Sequence, residues 1–317
     1  MQGSSSKVLA DVTDPVHPRV LCSLTGGWAP QLVTQTVISW WATQGGPGTP
    51  GPSVIATLDV FSGAGAAVAS WQGGGFLDGV HAWSPDHASL AYLTSDATAV
   101  NIHLLGGGGD RVVAGLGPVP GRGLNQDEDD SYVGFSADGR YFAVEQTFTG
   151  SGDHLQVRTT SDGGLAYSRA TATMATWGST GSKLYFRQPA TTEIDSWDPS
   201  VGFAQAIGQP LGWIRPRADA GDDNLTFTAR DSGGIPHVYL YGHGGRSGGQ
   251  LPNVRSSPMF LNTATVFEVE EAPCGANCGL GGPTQPSGRT FTYSIGTQAE
   301  TASTIAQVLG TWPRPGQ

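Results

Sequence analysis

The sequence predicts an all-β fold, a β-propeller built of four-stranded antiparallel blades, and three observations carry that reading. The first is punctuation. With 48 Gly and 21 Pro in 317 residues, long helices are excluded, because interior Gly weakens a helix and interior Pro breaks its hydrogen-bond ladder, while both suit short strands joined by tight turns. The second is a period. Short apolar runs include Val37, Leu90, Tyr141, Leu184, Leu225 and Val266, steps of 53, 51, 43, 41 and 41 residues, which is the length of a propeller blade. The third is an order repeated within the period: a strand ending in an aromatic residue (Trp83, Phe135, Trp177, Phe260), a tight turn, the apolar run, and two further strands. Four antiparallel strands repeated radially make a propeller.

Taken in order, residues 1–7 are a small polar leader, 8–312 a single propeller domain and 313–317 a tail. Two strands, Val8 to Val12 and Arg19 to Leu24, precede the first period without a partner in it. The turns "SPDHAS", "SADGR", "GSTGSK" and "ADAGDDN" place Asp, Asn and Gly at the reversals, where the backbone needs a local acceptor or a positive φ. The outer strands of the second period, "AVNIHLL" and "DRVVAGL", meet at "GGGG", and those of the third, "HLQVRTT" and "LAYSRA", at "SDGG". The segment "FTYSIGTQAETASTIAQVLGTW" supplies two or three strands more. Six blades are preferred on this count, and a split seventh, completed by the N-terminal strands, is the alternative.

"WSPDHASLAYLTSD" at 83–96 and "FSADGRYFAVEQ" at 135–146 resemble the blade signature of the TolB-type (WD40-like, PD40) propeller repeats: aromatic, Ser, Pro or Ala, Asp, then an apolar strand. "WGSTGSKLYF" lacks the Asp, and blades one, five and six keep only the strand. "LADVTDPVHPRVLCSL" resembles an LVIVD-type propeller repeat. The resemblance implies a non-catalytic, extracytoplasmic binding module, periplasmic or at the cell surface, whose partner is an envelope or extracellular protein or a polysaccharide. Two readings stand for "QGSSSK": it resembles the tether after the lipidated Cys of a bacterial lipoprotein, and it also suits an ordinary disordered N-terminus.

Composition narrows the partners. The net charge is −10 and the lysines are Lys7 and Lys183, so no basic stripe exists to neutralise a phosphate backbone, and nucleic acid is not expected. No apolar run approaches the roughly 18 residues of a membrane-spanning helix. Cys274 and Cys278 bracket "CGANC" in a Gly- and Pro-rich loop. A local disulfide and an oxidising compartment are expected there, since two Cys without a second Cys or His pair cannot complete a metal's four ligands.

Function is expected on the face carrying the links between blades and between the second and third strands, where loops vary without disturbing the core. Those loops cover 43–53, 71–81, 115–132, 148–154, 209–215 and 271–289. The third holds "NQDEDD", in which Asp127, Asp129 and Asp130 are candidate Ca²⁺ ligands. Its spacing is not that of a calcium loop, and a solvated acidic loop is the plainer reading. No other cofactor is expected. An aromatic and charged rim of Trp40, Trp41, Glu145, Arg187, Trp213, Arg215 and Glu270 is the candidate ligand surface. An enzyme of lyase, lactonase or glycosidase type, using a metal or a carboxylate pair such as Glu145 and Glu270, is the alternative, and a self-assembling structural unit is a third. "GRSGG" at 245–249 fits Gly-x-Ser-x-Gly, but a nucleophile elbow needs a following helix, which this Gly-rich segment does not supply. The seven His are scattered without a short-range pair.

Overall fold

A computed structural model describes residues 7–11, 19–24, 28–43, 52–72, 80–95, 100–115, 131–146, 155–170, 172–187, 193–208, 216–219, 221, 224–242, 248–274 and 283–305. Among them there is no helix, and every paired strand is antiparallel. The apolar runs at Val37, Leu90, Tyr141 and Leu184 are the second strands of four-stranded sheets.

The first set is β3 (Trp28–Leu32), β4 (Val37–Thr43), β5 (Pro52–Asp59) and β6 (Gly65–Gln72), and the second is β7 (His81–Trp83), β8 (Leu90–Ser95), β9 (Val100–Gly106) and β10 (Gly109–Gly115). The third is β11 (Ser131–Phe135), β12 (Tyr141–Gln146), β13 (Leu155–Thr159) and β14 (Leu165–Arg169). The fourth is β15 (Thr173–Trp177), β16 (Leu184–Arg187), β17 (Glu193–Asp198) and β18 (Gly202–Gly208). Ahead of them β1 (Lys7–Asp11) and β2 (Arg19–Leu24) form a separate hairpin.

The last seven strands form one sheet: β19 (Arg217–Ala218), β20 (Asn224–Arg230), β21 (Pro236–Gly242), β22 (Gly248–Asn262), β23 (Thr265–Pro273), β24 (Thr284–Ser294) and β25 (Ala299–Ser303). The sequence reading expects two separate sets here. Instead the 15-residue β22 serves both, pairing with β21 through residues 248–254 and with β23 through 255–262. The strand changes partner between Val254 and Arg255, and in the register irregularity just beyond lies Ser257, whose φ of 51° places it in the left-handed region and whose N–H donates to Thr228 Oγ1 at 3.0 Å.

The chain divides into two compact units, one of residues 1–135 with 139–170 and one of 136–138 with 171–317. In the first, the core lies between consecutive sets. Ile55, Leu90 and Tyr92 pack one interface, and Leu93, Ile102, Leu104, Val133, Phe142 and Val144 the next. In the second, Tyr185, Ile194, Leu225 and Phe227 form one cluster, and Val238, Leu251, Phe260, Val266 and Tyr293 another. Sheets covered on both faces explain why β8 and β12 read as unbroken apolar runs instead of alternating ones. Outermost strands are largely exposed, as in β10 and β14.

The repeated Ser-x-Asp turn has a local physical role. In "SPDH" Ser84 Oγ donates to Asp86 Oδ1 at 2.6 Å, while the N–H of Ala88 donates to Asp86 and that of Ser89 to Ser84 Oγ. The Ser84 hydroxyl, then the Ala88 N–H, hold the Asp86 carboxyl below its ordinary pKa. In "SADG" Asp138 accepts from Ser136 Oγ at 2.7 Å and also from Ser182 Oγ, at 2.7 and 2.6 Å, and its N–H donates to the Gly181 carbonyl at 3.2 Å. Here the turn carboxylate also ties two successive turns together.

Gly248 opens β22 opposite Tyr241. A Cβ at this position would lie 2.3 Å from the Leu240 carbonyl oxygen and 2.6 Å from Tyr241 Cα, and backbone atoms held in a ladder have little freedom to retreat. The Gly of "GRSGG" therefore serves strand packing. Gly248→Ala is expected to lower stability by about 2–4 kcal/mol, measured as a shifted denaturant midpoint, whereas Gly249→Ala, with nothing within 4 Å of the added Cβ, is expected to be close to neutral.

Candidate functional site

Most loops expected to carry function fall outside the described residues. Asp127, Asp129 and Asp130, the candidate Ca²⁺ ligands, are among those outside, as are Trp213, Arg215 and Cys278. Among the described residues, no group of three or more His, Cys, Asp or Glu is placed to hold a metal ion.

The other rim candidates sit at the ends of second strands. Trp40 and Trp41 are adjacent in β4 and half-buried, so they point to opposite faces of the sheet, and the indole N–H of Trp41 is buried without an acceptor among the described residues. Glu145 lies in β12 between Tyr132 and Leu155 and is fully buried. Arg187 closes β16, paired with Thr173 and Ile194. Of the candidates, Trp40, Trp41 and Glu145 belong to the first compact unit, and Arg187 and Glu270 to the second.

Glu270 is where described geometry converges. It pairs across the sheet with Arg255, whose Nη1 lies 3.7 Å from Glu270 Oε1. Ser287 Oγ donates to Glu270 Oε2 at 2.7 Å, and Arg289 Nη1 lies 3.3 Å from both carboxylate oxygens. Both guanidiniums stack on Phe291, Arg255 at 4.1 Å and Arg289 at 5.2 Å from the ring centroid. Arg255 is buried; Arg289 is 67% exposed and presents its charge to solvent.

Beyond this point β23 and β24 continue as a two-stranded ribbon. Glu271 pairs with Pro286, Ala272 with Gln285 and Pro273 with Thr284, and the Cys274 N–H then donates to the Pro283 carbonyl at 2.9 Å. The register of β22 on β23 reaches only Glu270, and that of β25 on β24 only Thr290. The ribbon thus extends past both neighbours. Cys274, at its end, is disulfide-bonded. Near the ribbon, Pro283 Cδ would lie 3.3 Å from a Cβ on Gly234, in the turn between β20 and β21. Gln285 to Arg289 are exposed. The segment 271–289, read from sequence as a long loop, is at its described ends a strand pair, whose backbone ladder continues past the edge of the core.

Two further clusters were not singled out by sequence. Ser39 Oγ lies 2.9 Å from His81 Nε2 and accepts from Trp83 Nε1 at 3.1 Å, while Gln31 Nε2 donates to the His81 carbonyl. The Ser–His distance is one a nucleophile and base would use, yet both residues are fully buried, so the pair joins the first set to the second as a buried polar contact. The other cluster, around Glu268, adjoins Glu270 on the same strand. No signal in the one-dimensional sequence brings Ser39 to His81 or Glu268 to Glu300.

No family model and no curated protein sequence matches the chain. Solved structures do. TolB from Acinetobacter baumannii aligns over 95% of this chain and 60% of its own, at 15% identity and a TM-score of 0.53. The fold is a TolB-like β-propeller. A prolyl endopeptidase aligns over 95% of this chain and 46% of its own, at 13% identity and a TM-score of 0.64. The β-propeller domain of the Trilobed protease from Pyrococcus furiosus aligns over 90% of this chain and 86% of its own, at 9% identity and a TM-score of 0.58. The chain thus spans about 60% of the first of these proteins and under half of the second. Among its described residues no helix is long and apolar enough to cross a membrane.

Proposed function

We propose that this TolB-like propeller is a non-catalytic, extracytoplasmic binding module that holds another protein through the ribbon formed by residues 271–274 and 283–289. The observation that supports this reading is the ribbon itself: a strand pair extending beyond its neighbours, carrying a disulfide-bonded Cys274, ion-paired at its base through Glu270 and Arg289, with an exposed polar flank. A segment already hydrogen-bonded as a strand pair loses less conformational freedom on docking than an unpaired one. The disulfide agrees with an oxidising compartment. An extracellular polysaccharide is the second ligand class, and Ca²⁺ at Asp127, Asp129 and Asp130 remains part of the proposal, as an ion held by the acidic segment itself. A catalytic reading has less support, because Glu270 is committed to Arg289, Arg255 and Ser287 and is not poised as a free acid or base.

The test is capture of partners from detergent-solubilised envelope extract on the immobilised chain, beside Gln285→Ala/Arg289→Ala and a variant with Asp127, Asp129 and Asp130 changed to Asn. A protein retained by the native chain and reduced at least about tenfold by the ribbon variant is expected. Equal retention by all baits, or steady turnover of a lactone, glycoside or peptide by the native chain, would replace this reading.

A further inference from the structure

Glu268 sits in the middle of β23 with no exposed surface, and neither of its carboxylate oxygens meets an N–H or O–H donor among the described residues. Its cross-strand neighbour is Phe291, and Val266, two residues earlier on the same face, packs with Val238 and Leu251 of the preceding strands. An ionised carboxylate enclosed this way is costly unless it is paired. Among the described residues, the cation acting on Glu268 is directed elsewhere. Arg255 Nη2 donates to Glu300 Oε2 at 2.8 Å, its Nη1 faces Glu270, and its plane lies on Phe291. The second arginine of this face, Arg289, is engaged by Glu270.

The carboxyl on the same face of the sheet is Glu300 of β25: it pairs with Tyr293, which pairs with Val266 of β23, two residues before Glu268, and its Oε1 is likewise buried without a donor among the described residues. Two carboxylate oxygens attract each other only when a proton lies between them. We infer that Glu268 is held as a neutral carboxylic acid donating to Glu300, and that this proton is a fastening of the β22–β25 face which loosens when it is lost to alkali.

The charged and titratable groups facing the pair are few. β22 contributes Arg255, β23 Glu270, β24 Tyr293 and Arg289, and β25 Glu300 itself, while Glu271 accepts from Ser256 Oγ at 2.6 Å. Val238 and Leu251 bring only apolar surface. Burial first, then the charge of Glu300 and the hydrogen bond to it, push the Glu268 carboxyl up to about 8 against the opposing pull of Arg255. The same burial, with the charges of Glu268 and Glu300, raises the Tyr293 phenol. A carboxyl raised in the folded state keeps a proton that the unfolded chain has already released. Its stabilising contribution is therefore complete below the ordinary Glu pKa of 4.5, declines as pH rises, and is gone above about 8.

Hydrogen exchange on the full chain tests this directly. Between pH 6 and pH 9, after correction for intrinsic exchange rates, the amides of 265–270, 290–294 and 299–303 are expected to lose at least about tenfold in protection, while those of 90–95 and 141–146 keep theirs. Glu268→Gln, which donates from a neutral amide at any pH, is expected to flatten that dependence. Infrared spectra of the unaltered protein supply a readout independent of any variant: one protonated-carboxyl band at pH 6.5, lost by pH 9.5 and absent in Glu268→Gln. Equal pH dependence in both proteins, or no such band at pH 6.5, overturns the inference.

Discussion

Arg255→Met is expected to cost about 3–5 kcal/mol of folding stability, the usual consequence of deleting one partner of a buried ion pair and leaving the other charge enclosed. Arg255 is buried, donates to Glu300 at 2.8 Å, faces Glu270 and lies on the Phe291 ring at 4.1 Å. Methionine restores much of the volume and the ring contact but none of the charge, so the loss reports on the carboxylates left behind. Arg255→Lys is expected to recover less than half of it, because an ammonium cannot address Glu300 and Glu270 at once while stacking on the ring. Glu300→Gln combined with Arg255→Met is expected to be more stable than Arg255→Met alone, since the charge left unpaired has been removed. Denaturant midpoints for the four proteins of that cycle check the claim. A single-variant loss under about 1 kcal/mol would mean that water solvates the cluster as it does a surface pair.

Arg255 also shows what the sequence conveys and what it withholds. Its own cross-strand partner, Glu270, was among the candidate residues because it ends a second strand, and strand order followed from spacing and turn chemistry alone. Periods of about 41 to 53 residues survive in one dimension, because each blade must bury both faces and repeats the apolar run that does so. Pairings between runs do not survive in that form. Glu268 and Glu300 lie on strands separated by β24, Ser39 and His81 belong to successive sets, and neither juxtaposition leaves a local motif. Glu145 illustrates the opposite difficulty. Its place at a strand end marked it as a rim residue, yet it is fully buried between Tyr132 and Leu155, because the end of a strand reveals height along the sheet and not which face is covered. The ends of segment 271–289 read as a loop for a similar reason: Pro, Gly and Cys interrupt "EAPCGANCGLGGPTQPSGR", while the pairing of 271–273 with 284–286 is a backbone ladder that carries no apolar pattern.

The two copies of the Ser-x-Asp phrase, so alike in sequence, are expected to differ in energetic weight. Asp86 serves its own turn: Ser84 and Ala88 donate to it, and the turn lies at the surface. Asp86→Ala removes local acceptors that water can partly replace, a loss of about 1 kcal/mol. Asp138 serves two turns, accepting from Ser136 and from Ser182, both of which are buried. Asp138→Ala removes the carboxylate to which two enclosed hydroxyls donate, at about 1–3 kcal/mol each, so a loss of about 2–6 kcal/mol is expected. Asp138→Asn keeps one carbonyl acceptor and should fall between the two. The measurement is denaturant unfolding of the three variants, with Ser182→Ala/Asp138→Ala added to close a cycle. Because Ser182 loses its hydroxyl in that protein, the double variant is expected to recover part of the Asp138→Ala deficit. Equal losses for Asp86→Ala and Asp138→Ala would show that the Ser182 contact contributes nothing, leaving the repeated phrase as turn chemistry alone.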